Sequence, residues 1–158
     1  MPYKNITTIY LDMDGVLTEF DAVVDKLSLR KPNGKVNWQE LHKLGSAFWS
    51  DMPWREDGKI FYAKVLEFCK SHNLQLGILS AIYSKTGIYG KKEWLKKNCP
   101  EINDADIIIC DKGVNKYLHL PENGLLIDDN SLNCVLCNNA LHYDDCETTI
   151  KYLETLFT

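Results

Sequence analysis

The sequence predicts an α/β fold built on a doubly wound, mostly parallel sheet. Three observations predict it. Short β-branched or aliphatic runs recur along the chain, helix-period segments alternate with them, and two of the runs end abruptly in paired carboxylates. Ile6 to Leu11 is the first strand, and Glu56 to His72 has the apolar period of a helix leading into a strand at Leu74 to Leu79. Gly90-Lys91-Lys92-Glu93-Trp94-Leu95 opens the next helical pattern, which Cys99-Pro100 ends. Ile107 to Ile109 and Leu125 to Ile127 read as buried strands, and Thr148 to Phe157 as a closing helix. Between Leu125 to Ile127 and that helix, Ser131 to Asn138 is expected to be a helix packing Leu132, Val135 and Leu136, followed by a short strand at Ala140 to Tyr143. Residues 1–158 are read as a single domain, interrupted at about 18–54 by an aromatic-rich insertion.

Chemistry concentrates at the strand ends. Asp12-Met13-Asp14-Gly15 follows the first strand, and Asp128-Asp129-Asn130 follows Leu125 to Ile127. Open α/β sheets place their ligand crevice at the carboxyl ends of strands, so two such pairs converge if their strands are parallel neighbours. In a continuing strand Asp12 and Asp14 point the same way. Converging carboxylates repel unless a cation lies between them, and hard oxygen donors suit Mg2+. Gly15 allows a sharp departure of the chain there. A third strand end carries Ser80-Ala81, a hydroxyl and amides able to hold a phosphoryl oxygen. Lys91 is expected near a helix N-terminus, where anions are favoured.

This ordered set resembles the haloacid dehalogenase-like (HAD) phosphohydrolase superfamily: Asp12/Asp14, then Ser80, then Lys91, then Asp128/Asp129. Within it, Asp-Met-Asp-Gly-Val-Leu-Thr-Glu-Phe and the Lys91, Trp94, Leu95, Lys97 spacing are most similar to the 5′(3′)-deoxyribonucleotidases and their phage and bacterial relatives. The resemblance implies a HAD-like Rossmannoid core with a small helical cap at 18–54. It implies Asp12 as nucleophile, forming an aspartyl-phosphate, and Asp14 as general acid and base. Mg2+ is then held by Asp12, the Asp14 carbonyl and Asp129, with Asp128 in support. Ser80, Ala81 and Lys91 bind phosphate. Lys92, Lys112 and Lys116 are alternatives for the phosphate-binding lysine; Lys91 is preferred for its distance from Trp94. Phe20 falls where the branch stacks an aromatic ring on a base, while Trp38, Phe48, Trp49 and Trp54 are expected to form the cap's own core. The expected substrate is a small phosphomonoester, a nucleotide by preference. Alternatives are another phosphometabolite, a nucleic-acid 3′-phosphate, or, in a different class, a phospho-receiver domain. The order of acidic motifs along the chain disfavours the receiver.

With 158 residues and 45% hydrophobic content, the chain can bury a core without covalent staples. A net charge of −4 argues against coating duplex nucleic acid. The first residues run directly into a strand with no apolar leader, and no stretch approaches a membrane span, so a cytoplasmic protein is expected. Its oligomeric state is left open. Six cysteines in that setting are expected to be free thiols, with Cys69, Cys99 and Cys110 as small core residues. Cys134, Cys137, His142 and Cys146 approximate a zinc-knuckle spacing, against which stands simple packing of a helix and strand; packing is preferred.

Overall fold

The computed structural model describes residues 3, 5–82, 84–111 and 116–158. Five strands form one sheet in the order β3-β2-β1-β4-β5: β1 (Thr8–Leu11), β2 (Gln75–Ala81), β3 (Ile107–Cys110), β4 (Gly124–Asp128) and β5 (Ala140–His142). Every pairing is parallel. The α/β, doubly wound expectation is met, and the sheet is parallel throughout. β1 pairs with β2 on one side and β4 on the other, in matched register at Leu11↔Ile78 and Leu11↔Ile127. The chain therefore winds outward from β1 in both directions, and the crevice between the ends of β1 and β4 is a topological switch point.

Side-chain alternation along the strands builds two unequal layers. Ile9, Leu11, Ile78, Leu125 and Ile127 point into the main core with Phe61, Val65, Phe68, Trp94 and Leu95. Those partners come from α4 (Gly58–Ser71) and α5 (Lys85–Asn98), while α8 (Cys146–Phe157) adds Leu153. On the other face Tyr10, Leu79 and Leu126 meet Cys110 and Cys137 in a smaller cluster beneath α6 (Lys116–His119) and α7 (Ser131–Leu136). Here the expected packing of α7 is corrected. Leu132, Val135 and Leu136 are exposed, and Asn133 is the buried residue, drawn inward because its amide bonds Asp128.

Segment 18–54 carries α1 (Phe20–Lys26), α2 (Trp38–His42) and α3 (Ala47–Ser50). It docks on the core where α3 meets α5. Gly90 permits that approach, because a Cβ there would overlap the Ser46 carbonyl and the Trp49 side chain. The Trp94 indole N–H then donates to the Met52 carbonyl at 2.7 Å.

Helix α5 begins earlier than its sequence pattern indicates. Ser84 caps it, accepting from the Gly87 amide at 3.1 Å. Lys91 therefore sits in the helix interior, not at its N-terminus, and its reach into the crevice owes nothing to the helix dipole. Cys69, Cys99 and Cys110 are buried, as expected of small core residues. Burial pushes the Cys69 and Cys99 thiols up to about 12.

Candidate active site

β1 ends at Leu11, and the strand does not continue through the first acidic pair. The amides of Val16, Leu17 and Thr18 all donate to the Met13 carbonyl at 2.8 to 3.1 Å, winding residues 13–18 into a tight turn. Asp12 and Asp14 are thereby sent to different partners. Asp12 is 7% exposed, and its Oδ1 accepts from the Met13 amide at 2.8 Å. Asp14 is more open, and its Oδ1 accepts from the buried Thr18 hydroxyl at 3.0 Å.

Two buried lysines divide the acids between them. Lys116 Nζ donates to Asp12 Oδ1 at 2.7 Å and to Asp128 Oδ2 at 2.8 Å. Lys91 Nζ donates to Asp14 Oδ2 at 2.9 Å, Ser80 Oγ at 2.7 Å and the Ala81 carbonyl at 2.9 Å. It also lies 5.0 Å from the centre of the Trp49 ring, a cation–π contact that offsets part of its desolvation. Lys91, Ser80 and Ala81 are thus brought together beside Asp14, as the sequence grouping anticipates. Lys116, named from the sequence as an alternative to Lys91, is the lysine on Asp12. Lys92 is exposed, and Lys112 lies outside the described residues.

Asp128 ends β4 fully buried. Its carboxylate accepts from the Asn130 amide at 2.8 Å and from Asn133 Nδ2 at 3.1 Å besides Lys116. Burial alone would raise its pKa; the Lys116 ammonium and these hydrogen bonds outweigh burial and hold it below the ordinary carboxylate value. Asp12 goes the other way. Burial raises it well above 3.8, Lys116 opposes this, and the negative charges of Asp128, Asp14 and Asp129 add to it. Asp129 is also raised, by burial and by Asp128, although a hydrogen bond with the Asp12 carboxyl draws it partly back.

One carboxylate oxygen from each of Asp12, Asp128 and Asp129 lies within 4.8 Å of the others. Among the described residues they are the one such group of acidic, histidine or cysteine side chains close enough to hold a metal. Three carboxylates face one ammonium, two of them have elevated affinity for protons, and Asp12 and Asp129 are near enough to hydrogen-bond. A hard divalent cation fits that imbalance and that all-oxygen donor set. The Asp14 carboxylate is not in the group, since it turns to Lys91 and Thr18. Nor do Cys134, Cys137, His142 and Cys146 form a metal-holding group. The Cys134 thiol donates to the Asp128 carbonyl, and His142 lies between the Asp129 carbonyl and the Asp144 carboxylate at 2.9 and 3.1 Å.

A cavity of about 410 Å³ opens onto this cluster. Asp12, Asp14, Lys116, Asp128 and Asp129 line its floor, and Phe20, Trp38 and Trp49 form an aromatic wall. The Phe20 ring stacks with both tryptophans, with ring centres 5.8 Å from Trp38 and 5.5 Å from Trp49 and planes within 21° and 9° of parallel. Phe20 is therefore already stacked on two rings of its own segment. Phe48 and Trp49 are buried within segment 18–54, while Trp38 and Trp54 are half-buried.

Fold and site together define an α/β protein with a strand-end carboxylate cluster, paired buried lysines and an aromatic-walled cavity at its switch point. No protein-family model matches the sequence, and no curated protein matches it. Among solved structures the chain is similar to the HAD domain of the effector protein Lem4 from Legionella pneumophila, at 17% identity and a TM-score of 0.42, over 96% of this chain and 92% of that one. A likeness that distant carries nothing about chemistry, which rests on the side chains described above. Among the described residues no helix is long and apolar enough to cross a membrane.

Proposed function

We propose that the protein is a Mg2+-dependent phosphohydrolase of the HAD-like type, and within that type a 5′-nucleotidase acting on nucleoside or deoxynucleoside monophosphates. The observation that carries the reading is the convergence of Asp12 with Asp128 and Asp129 across the β1–β4 crevice, with Lys116 on one side and the Asp14–Lys91–Ser80 group on the other. That arrangement supplies a carboxylate nucleophile, a separate carboxyl for proton transfer, and cationic and hydroxyl donors for phosphoryl oxygens.

In this reading Asp12 attacks phosphorus, the bond to the leaving oxygen breaks, and Asp14 protonates that oxygen. Asp14 then takes a proton from the water that cleaves the aspartyl-phosphate. Lys116 compensates the charge of Asp12 and Asp128, keeping a buried nucleophile near two like charges. Lys91 and Ser80 hold phosphoryl oxygens beside Asp14. Mg2+, held by Asp12, Asp128 and Asp129, would neutralise the negative charge shared by phosphate and nucleophile. Segment 18–54 acts as the cap, and its aromatic wall of Phe20, Trp38 and Trp49 favours a flat leaving group such as a nucleoside.

Phosphate release from p-nitrophenyl phosphate and from a panel of nucleoside monophosphates, with and without Mg2+, tests the proposal. Mg2+-dependent multiple turnover, faster on nucleotides, supports it. Turnover insensitive to chelation contradicts the metal assignment. Turnover confined to other phosphometabolites retains the phosphohydrolase and removes the nucleotidase.

A further inference from the structure

Arg55 lies in the return from segment 18–54 to α4, and its contacts all run toward the carboxyl end of the sheet. Its guanidinium donates through Nη1 to the Gly15 carbonyl, pairs through Nε with Asp57 at 3.1 Å, and lies 5.2 Å from the centre of the Tyr143 ring. Its backbone amide donates to the Leu17 carbonyl at 2.7 Å, in the turn that carries Asp14. Asp57 Oδ2 accepts from the Tyr143 hydroxyl at 2.8 Å, and the Tyr143 amide donates to the Asp128 carbonyl at 2.8 Å. A continuous path thus joins the turn after β1 to the end of β4 through Arg55, Asp57 and Tyr143.

Gly15 is where this path meets the acids. Its φ of +85° is a conformation that glycine adopts at little cost, and a Cβ there would overlap the Asp129 carboxylate. The turn therefore packs directly against one of the three clustered carboxylates, and moving the Gly15 carbonyl moves the surface on which Asp129 rests. The planar guanidinium presents its donors in a fixed fork, so separate nitrogens of Arg55 meet the Gly15 carbonyl and the Asp57 carboxylate while the group lies over the Tyr143 ring. The Arg55 side chain is itself 30% exposed, while α4 is anchored separately by Phe61, Val65 and Phe68. Loss of the arginine would loosen the turn without removing the core contacts of the helix.

We infer that Arg55 is a positioning residue which, through Asp57 and Tyr143, sets the spacing of the Gly15 turn and the end of β4 at which Asp12, Asp128 and Asp129 receive a divalent cation. The inference rests on the Mg2+ reading above, and its test separates the two. Mg2+ binding is measured by titration calorimetry on the parent, Arg55→Met, Arg55→Lys and Tyr143→Phe chains, alongside kcat, KM and thermal melting. Outer-shell partners of metal ligands typically change affinity by about 10–100-fold. Arg55→Met is expected to weaken Mg2+ about tenfold and to lower kcat at saturating Mg2+ more than it raises KM. Arg55→Lys should recover part of the affinity. Tyr143→Phe, which removes one hydroxyl and keeps the ring, should show a smaller loss in the same direction and carries the test if Arg55→Met does not fold. Unchanged Mg2+ affinity in a folded variant, even with a lowered melting temperature, overturns the positioning role alone. No Mg2+ binding by the parent overturns the metal reading, and this inference with it.

Discussion

Lys116→Met removes the ammonium that stands between two buried carboxylates. Lys116 is 3% exposed and lies 2.7 and 2.8 Å from Asp12 and Asp128. Removing one partner of a buried ion pair costs about 3–5 kcal/mol, because the remaining charge is left uncompensated. Asp12 already has a raised pKa, so without the ammonium it takes up a proton more readily, and the cost settles near the lower figure, about 3 kcal/mol. For a chain of this size that is a fall of roughly 6–12 °C in melting temperature. The pH dependence has a definite sign. A carboxyl with a folded pKa above its unfolded value makes the native state bind more protons, so stability falls as pH rises through that interval. The deficit of the variant is therefore largest at neutral pH and shrinks on acidification. Mg2+ should restore more stability to the variant than to the parent, since the cation replaces the missing charge. Melting of both chains across pH, with Mg2+ and with chelator, reads all three effects. A loss under about 1 kcal/mol, or one that grows on acidification, refutes the charge assignment.

Three further outcomes follow from the site. In the parent, Mg2+ should raise the melting temperature most at neutral pH and progressively less as pH falls through the raised values of Asp12 and Asp129, where protons compete for the same oxygens; a pH-independent rise counts against those ligands. Gly15→Ala should weaken Mg2+ and slow turnover together, since the new Cβ meets the Asp129 carboxylate and the residue must hold a positive φ at about 1–2 kcal/mol; Mg2+ affinity equal to the parent's contradicts that placement. Phe20→Ala should lower stability through its two stacked neighbours and reduce nucleotide turnover roughly fivefold more than alkyl phosphate turnover, the low end of base-stacking energies at about 1 kcal/mol, because only part of the ring faces the cavity; equal losses on both substrates would leave Phe20 a packing residue.

Much of the scaffold was legible from local pattern. The strands at β1, β2, β3 and β4 are runs of β-branched and aliphatic residues whose positions were read within a few residues, and both acidic pairs were found because they end such runs. What failed depends on contacts that hydrophobic periodicity does not record. The first turns of α5 contain Gly87 and Gly90, each unfavourable by about 1 kcal/mol in a helix. The helix persists because their missing side chains admit Ile82, the Ser46 backbone and the Trp49 Cβ. The inward face of α7 was misassigned because Asn133, a polar residue, is drawn in by Asp128 while three aliphatic residues face outward. Lys116 is legible only as an alternative to Lys91, from its place before the last acidic strand; the pairing of β4 beside β1 is what brings Asp128 and Asp12 to its ammonium. Arg55 and Tyr143 were silent, since they act on backbone carbonyls that no side-chain motif records.

In the proposed chemistry Asp12 accepts the phosphoryl group. Rapid acid quench of the protein with substrate and Mg2+, followed by peptide mass spectrometry, reads it directly. A phosphorylated, hydroxylamine-labile carboxyl is expected at Asp12, forming as fast as turnover and absent from Asp12→Asn, which stays folded but turns over at least tenfold more slowly by the loss of a nucleophile. Steady hydrolysis with no phosphorylated residue, or with the label on another side chain, would contradict it.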